Sequence, residues 1–259
     1  MRRLVSTLLI WLSGVLSAQD FGAKTQVSLL VEPATAKAGD TIDVALHLKM
    51  PDGWHTYWRN PGENGMPTTV KWILPEGITA GAIRWPVPEK VEWLGMFTYA
   101  YHHEVLLIIP FTLSADLAPA EYELKGKVEW LECEETCIPG EAEVAAKLVV
   151  GNETKVGTRV ALFQKWRARW PDKNEMPQLP AQWAGAADAD GERTVRLTVP
   201  VSGKDVTVHF LPYATTGKKW EIAHATKLTK GESEFTLSKT ITSKEGEWPT
   251  ELRGVGGLK

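Results

Sequence analysis

Read for hydrophobic and polar alternation, residues 26 to 150 break into short runs separated by turn residues. Val27-Ser28-Leu29-Leu30-Val31, Thr41 to Leu48, Val105 to Ile109 and Tyr122 to Trp130 are apolar or alternate with period two, as strands do. Ala38-Gly39-Asp40 and Pro51-Asp52-Gly53 fall between them and supply turns. Many short strands at this spacing predict an antiparallel β-sandwich. The period then changes: Val156, Val160, Leu162 or Phe163, and Trp166 recur at helical spacing, so a helix is expected between Lys155 and Trp170, stopped by Pro171. Pro177 and Pro180 extend this into a linker. Beyond it, Arg193 to Val199, Asp205 to Leu211, Glu221 to Leu228 and Glu234 to Thr242 predict a second set of strands.

The expected organisation is therefore a signal peptide over 1–18, a β-sandwich over 19–151, a helix and Pro-containing linker over 152–183, and a second small β domain over 184–259. The first segment follows from Met1-Arg2-Arg3, an apolar run from Leu4 to Leu16, and the small residues Ser17-Ala18. That run is shorter than the roughly 20 residues a membrane span needs. No later stretch approaches a span, since Val105 to Leu113 is short and carries Pro110. An exported protein with no membrane span after cleavage is expected, in a compartment that permits a disulfide.

With 259 residues and 43% hydrophobic content there is enough material for real cores. The formal charge of −3 leaves no basic field for a phosphate backbone, so nucleic acid is not an expected partner.

The two cysteines, Cys133 and Cys137, lie in Trp130-Leu131-Glu132-Cys133-Glu134-Glu135-Thr136-Cys137-Ile138-Pro139-Gly140. A C-x3-C spacing lets the sulfurs meet if the backbone turns, and Pro139-Gly140 is a turn signal. In the chain-entropy model so small a loop stabilises by only about 2 kcal/mol, little for a structural staple. Glu129, Glu132, Glu134 and Glu135 crowd the pair and push its thiols toward the protonated form. His55, His102-His103, Met66 and Met96 could join the cysteines around a soft ion, although their spacing fits no zinc finger or ribbon. Exchange pair, fixed staple and copper-handling site all remain open on these residues. Two aromatic segments, Gly53 to Pro67 and Trp93 to Val105, read as strands and loops, the second as half of a hairpin or a hydrophobic flap.

Taken in order, Gly53-Trp54-His55-Thr56-Tyr57-Trp58-Arg59-Asn60-Pro61-Gly62, Pro67-Thr68, Trp85-Pro86-Val87-Pro88, Tyr99-Ala100-Tyr101 before Glu104-Val105, and Trp130-Leu131-Glu132-Cys133 with Cys137-Ile138-Pro139 resemble the DsbD N-terminal domain family. This disulfide bond corrector, or α, domain also occurs in ScsB-like reductases. The resemblance is strong over about residues 26 to 150. It implies an immunoglobulin-like sandwich in the periplasm, with Cys133 and Cys137 as the redox pair. Its aromatic cap maps onto Met96, Phe97, Tyr99 and Tyr101. The implied partners are a membrane-embedded DsbD-like electron donor or thioredoxin-like domain on one side and oxidised periplasmic proteins, including those of cytochrome c maturation, on the other; no cofactor is implied. Cys137 is the expected attacker. The cysteine spacing is tighter than in the family's best-known members. Nor does a membrane domain or thioredoxin-like domain follow before Lys259, so the resemblance implies a separately encoded donor, or a longer reductase of which this chain is a fragment. The alternative is a non-catalytic binding module with a structural disulfide. Residues 184–259, without cysteine, are expected to act as a spacer.

Overall fold

A computed structural model describes residues 22–93, 95–171, 179–200, 208–215, 217–231 and 234–258. The expected signal peptide, Leu94, and the linker around Pro177 lie outside them. The fold is all-β, with antiparallel sheets and, among the described residues, a single α-helix.

Two sheets form the sandwich. One has the order β1 (Gln26–Val31), β3 (Thr41–Lys49), β9 (Glu104–Leu113), β6 (Ile78–Ala80). The other runs β2 (Ala36–Lys37), β11 (Cys137–Gly151), β10 (Glu121–Cys133), β4 (His55–Gly62), β8 (Met96–His102), β7 (Glu89–Trp93), with β5 (Thr69–Ile73) also on β10. Strands β3 and β9 are central and covered on both faces, which is why they read as nearly continuous apolar runs. Strand β10 instead alternates buried and exposed residues, because one of its faces meets solvent. Ile42, Val44, Leu46 and Leu48 of β3, Val105, Leu107, Ile109 and Phe111 of β9, and Leu124, Val128 and Trp130 of β10 fill the space between the sheets.

The helix α1 (Val160–Arg167) is shorter than expected at its start. Residue Lys155 pairs with Thr35 in an extended bridge, and Gly157 lies so close to the Glu32 carbonyl that a side chain would collide with it. These contacts hold 155–157 along the sandwich and leave Val156 exposed. The helix then buries Phe163 and Trp166 against the core. Arg167 fastens it, donating through Nε to Asp43 at 3.0 Å and through Nη1 to Glu32 at 2.8 Å.

The C-terminal strands form a second body. A five-stranded sheet, β12 (Ala181–Trp183), β13 (Glu192–Pro200), β17 (Glu234–Ser243), β15 (Trp220–Ile222) with β16 (Lys227–Lys230) on β17, is joined by the pair β14 (Val208–Pro212) and β18 (Gly254–Leu258). The expected strand from Glu221 to Leu228 is split into β15 and β16. The chain leaves the ladder at Ala223-His224, whose carbonyls accept from Lys239 Nζ at 3.1 and 2.9 Å. Lys239 is wholly buried, and desolvation first, with Lys90 second, lowers its pKa to about 7. Its small cores, Leu197-Phe235-Leu237 and Val195-Ile222-Ile241, adjoin the sandwich through Leu211 and Val255, which belong to the larger core. Asn60 Nδ2 donates to the Pro212 carbonyl at 2.8 Å, and Tyr213 packs on Trp58 with ring centroids 5.7 Å apart.

Candidate functional site

The longest hairpin of the molecule ends at the cysteines. Every residue of β10 from Glu121 to Cys133 faces a residue of β11, and the last such pair is Cys133 opposite Cys137. The turn is Glu134-Glu135-Thr136, with the Glu134 amide donating to the Thr136 carbonyl at 3.4 Å. Pro139-Gly140 therefore makes no turn: it is strand, and Gly140 is required because the Trp130 indole lies flat against its Cα. The two cysteines are disulfide-bonded, their Cα atoms 4.1 Å apart.

Pairing then decides which side chains share a face. Cys133 is opposite His55, and His55 is opposite His102. Directly opposed residues project to the same side, so Cys137, Cys133, His55 and His102 form one row across four strands. Tyr57, two residues beyond His55, stands on that same side. Its hydroxyl donates to Cys133 Sγ at 2.8 Å and lies 3.8 Å from Cys137 Sγ. The loop after β4 presses on the phenol from outside: Gly65, at φ +110°, has no room for a Cβ over the ring. Burial in this position raises the Tyr57 pKa, keeping the hydroxyl a donor. The two sulfurs are unequal as a result, with Cys133 3% exposed and Cys137 open to solvent.

The other side of the same strands is sealed. Glu132, Thr56 and Tyr101 form a row facing the core, all buried. Glu132 accepts from the Thr25 amide at 2.8 Å, the Trp130 indole at 3.0 Å and the Lys24 amide. Burial pulls its pKa up, but the hydrogen bonds from Thr25, Lys24 and Trp130 outweigh it and leave the carboxyl below its usual value. Glu132 is thus removed from the negative crowd expected around the cysteines. Glu134 and Glu135 remain beside them, exposed.

His55 is half-buried, its ring edge-on to Tyr57 at 5.2 Å and tilted against His102 at 5.5 Å. Desolvation, and then the neighbouring His102, lower its pKa to about 4. His102 Nδ1 is 3.2 Å from Glu89 Oε2, close enough for an ion pair though not aligned as a hydrogen bond. His103 is turned away at φ +62°, next to Asp52 at 3.5 Å. Among the described residues no group of three or more His, Cys, Asp or Glu side chains is placed to hold a metal ion.

The stretch expected to supply the cap, Met96 to Tyr101, is strand β8, paired with β4 on one side and β7 on the other. Met96 accepts a hydrogen bond from Asn64 Nδ2 at 3.0 Å, and the Phe97 amide donates to Glu63 at 2.5 Å, with Lys90 Nζ 3.9 Å above the Phe97 ring. Tyr101 faces the core and donates to the Pro86 carbonyl at 2.7 Å. Tyr99 points to the C-terminal body, its hydroxyl 3.2 Å from His224 Nδ1. The aromatic that reaches the sulfurs is Tyr57, inside a segment whose aromatics read as packing. Its place in an aromatic segment that reads as strand and loop is legible in the sequence; that β4 lies beside the end of β10 is not.

Comparison with known proteins bears on the sandwich that carries this site. Residues 26–148 match the family described as thiol:disulfide interchange protein DsbD, N-terminal. The N-terminal periplasmic domain of ScsB from Proteus mirabilis superposes with a TM-score of 0.57 at 17% identity, covering 90% of this chain and 86% of that one, which shows a common fold. A protein of unknown function from Porphyromonas gingivalis W83 gives a TM-score of 0.30 at 10% identity over 85% of this chain and 84% of its own, too low to argue from. No curated protein matches in sequence.

Proposed function

With residues 26–148 belonging to the DsbD N-terminal family, we propose that this protein carries reducing equivalents through Cys133 and Cys137, from a membrane-embedded thiol donor or its thioredoxin-like domain to oxidised proteins of the periplasm. Export by the segment 1–18 belongs to this reading, as does the division into a redox sandwich (19–151), a connecting stretch (152–183) and a C-terminal body (184–259). No helix among the described residues is long and apolar enough to cross a membrane.

The observation that carries the proposal is the inequality of the sulfurs. A donor thiolate attacks the exposed Cys137 sulfur; the Cys133–Cys137 bond breaks, and its electron pair leaves on Cys133, where the Tyr57 hydroxyl already donates. The donor's second thiol then attacks the mixed disulfide and frees Cys137. In the forward transfer Cys137 attacks the target's disulfide, and Cys133 resolves the intermediate, re-forming the intramolecular bond as the target's thiolate departs. A hydrogen bond to a charged sulfur is among the stronger kinds, so Tyr57 favours the state in which Cys133 is the leaving group.

The test is the reduction potential of the pair, by equilibration against defined dithiothreitol or glutathione ratios. A value of about −180 to −270 mV supports a carrier. A value below about −300 mV, or a bond that opens only on unfolding, would make the disulfide a staple and the sandwich a binding module. Given a carrier potential, Cys133→Ser is expected to trap donor or target as mixed disulfides on Cys137.

A further inference from the structure

Opening the disulfide places a negative charge on a sulfur that is almost wholly buried, and the charge needs a counter-ion. The groups around it are few. Beside Cys133 stands His55 of β4, with Cβ atoms of such opposed pairs about 5 Å apart. Facing His55 are His102 from β8, Tyr57 from its own strand, Cys133 and Cys137 from β10 and β11, and beyond His102 the Glu89 carboxylate from β7. Glu134 in the hairpin turn approaches Gly53 just before β4. Arg59, further along β4, packs on the Tyr213 ring, 4.5 Å from its centroid, and of the described residues paired across these strands the His55 imidazole is the one beside Cys133 that can become a cation.

On the premise that the pair exchanges, we propose that His55 is a redox-linked proton acceptor: neutral while the Cys133–Cys137 bond is closed, it becomes the imidazolium partner of the Cys133 thiolate when the bond opens. The bond's electron pair goes to Cys133, the incoming thiolate forms the new bond to Cys137, and the proton that His55 takes up comes from solvent on the side of His102 and Glu89. When Cys133 later attacks the mixed disulfide, its negative charge is spent in the new sulfur–sulfur bond and His55 returns the proton to solvent. With the disulfide closed the ring has no reason to be charged, consistent with its lowered proton affinity beside His102. His55 is a positioning and charge-balancing residue, acting on the sulfur from the adjacent strand.

The first experiment follows the His55 ring proton by NMR through a pH titration of the oxidised protein and of the protein reduced with dithiothreitol, the resonance identified by its loss in His55→Gln. The midpoint is expected near 4 in the oxidised form and at least about one unit higher in the reduced form. Equal midpoints would overturn the proposal. The second mixes reduced protein with Ellman's reagent, which releases one chromophore when Cys137 attacks and another when Cys133 resolves. His55→Phe should leave the first phase within about twofold, slow the second about tenfold or more, and abolish its inflection in the imidazole range. Equal slowing of both phases, or an unchanged second phase, would overturn it; His55→Gln repeats the measurement should His55→Phe fold poorly. A bond that dithiothreitol cannot open in the folded protein would sink the carrier reading itself, and this inference with it, an outcome distinct from an opened bond beside an unmoved His55.

Discussion

At the end of the long hairpin, two adjacent residues face opposite ways and meet opposite conditions. Glu132 turns inward to backbone and indole donors that satisfy its charge and tie the chain at Lys24-Thr25 to the sheet. Cys133 turns outward to one phenol, a neutral imidazole on the adjacent strand and an exposed partner sulfur. The core face spends its polar groups on rigidity, whereas the sulfur face keeps its own lightly committed. A disulfide with one exposed sulfur can sit at a sheet's end because the opposite side of the same strands is held so firmly.

Breaking one face should leave the other's property intact. The largest effect is expected for Glu132→Ala, which strands buried donors at Trp130 and Thr25: stability should fall by about 3 kcal/mol in urea denaturation, with the reduction potential of the folded protein unchanged. Tyr57→Phe should do the reverse, lowering stability by less than about 1 kcal/mol while slowing dithiothreitol reduction of the disulfide about tenfold, since the departing Cys133 thiolate loses its donor. A potential displaced by Glu132→Ala, or a reduction rate untouched by Tyr57→Phe, would show that the faces are not separable. Asn60→Ala, at the seam with the C-terminal body, removes the buried bond to Pro212 and should cost about 1 kcal/mol, read as faster amide exchange at Leu211 and Val255. The smallest effect is on pH dependence. Folding lowers the His55 pKa from 6.5 to about 4, so the contribution of the neutral ring is complete above 6.5 and lost as pH falls toward 4. In His55→Phe that loss should be absent, leaving the variant's stability curve flatter between pH 6.5 and 4 by roughly 1 kcal/mol, the half-exposed ring being screened by solvent.

Much of this architecture is legible in the chain. The β3 and β10 runs announce themselves by their two patterns, continuous for a strand covered twice and alternating for one covered once. The family motifs locate the cysteines and the sandwich around them. The helix start was misjudged because Val156 has the right spacing, while Gly157 against the Glu32 carbonyl decides otherwise. Pro139-Gly140 looked like a turn because composition carries no information about the Trp130 ring lying on Gly140. Tyr57 and His55 were hidden for a related reason. Their meaning comes from β4 lying next to the last rung of β10, a pairing between residues far apart in sequence that no local pattern encodes.

The position of the disulfide has a mechanical consequence. It closes a turn of three residues at the tip of a ladder whose other rungs are hydrogen bonds, so the slack it withholds is only about 10 Å of chain. Pulled from its two ends, the protein would extend by almost the same length whether the bond is closed or open, and the bond would bear little of the force until the hairpin itself had unzipped. Opening or closing the bond therefore changes the reach of the chain by little, and the difference it makes is concentrated at the sulfurs and their immediate rim.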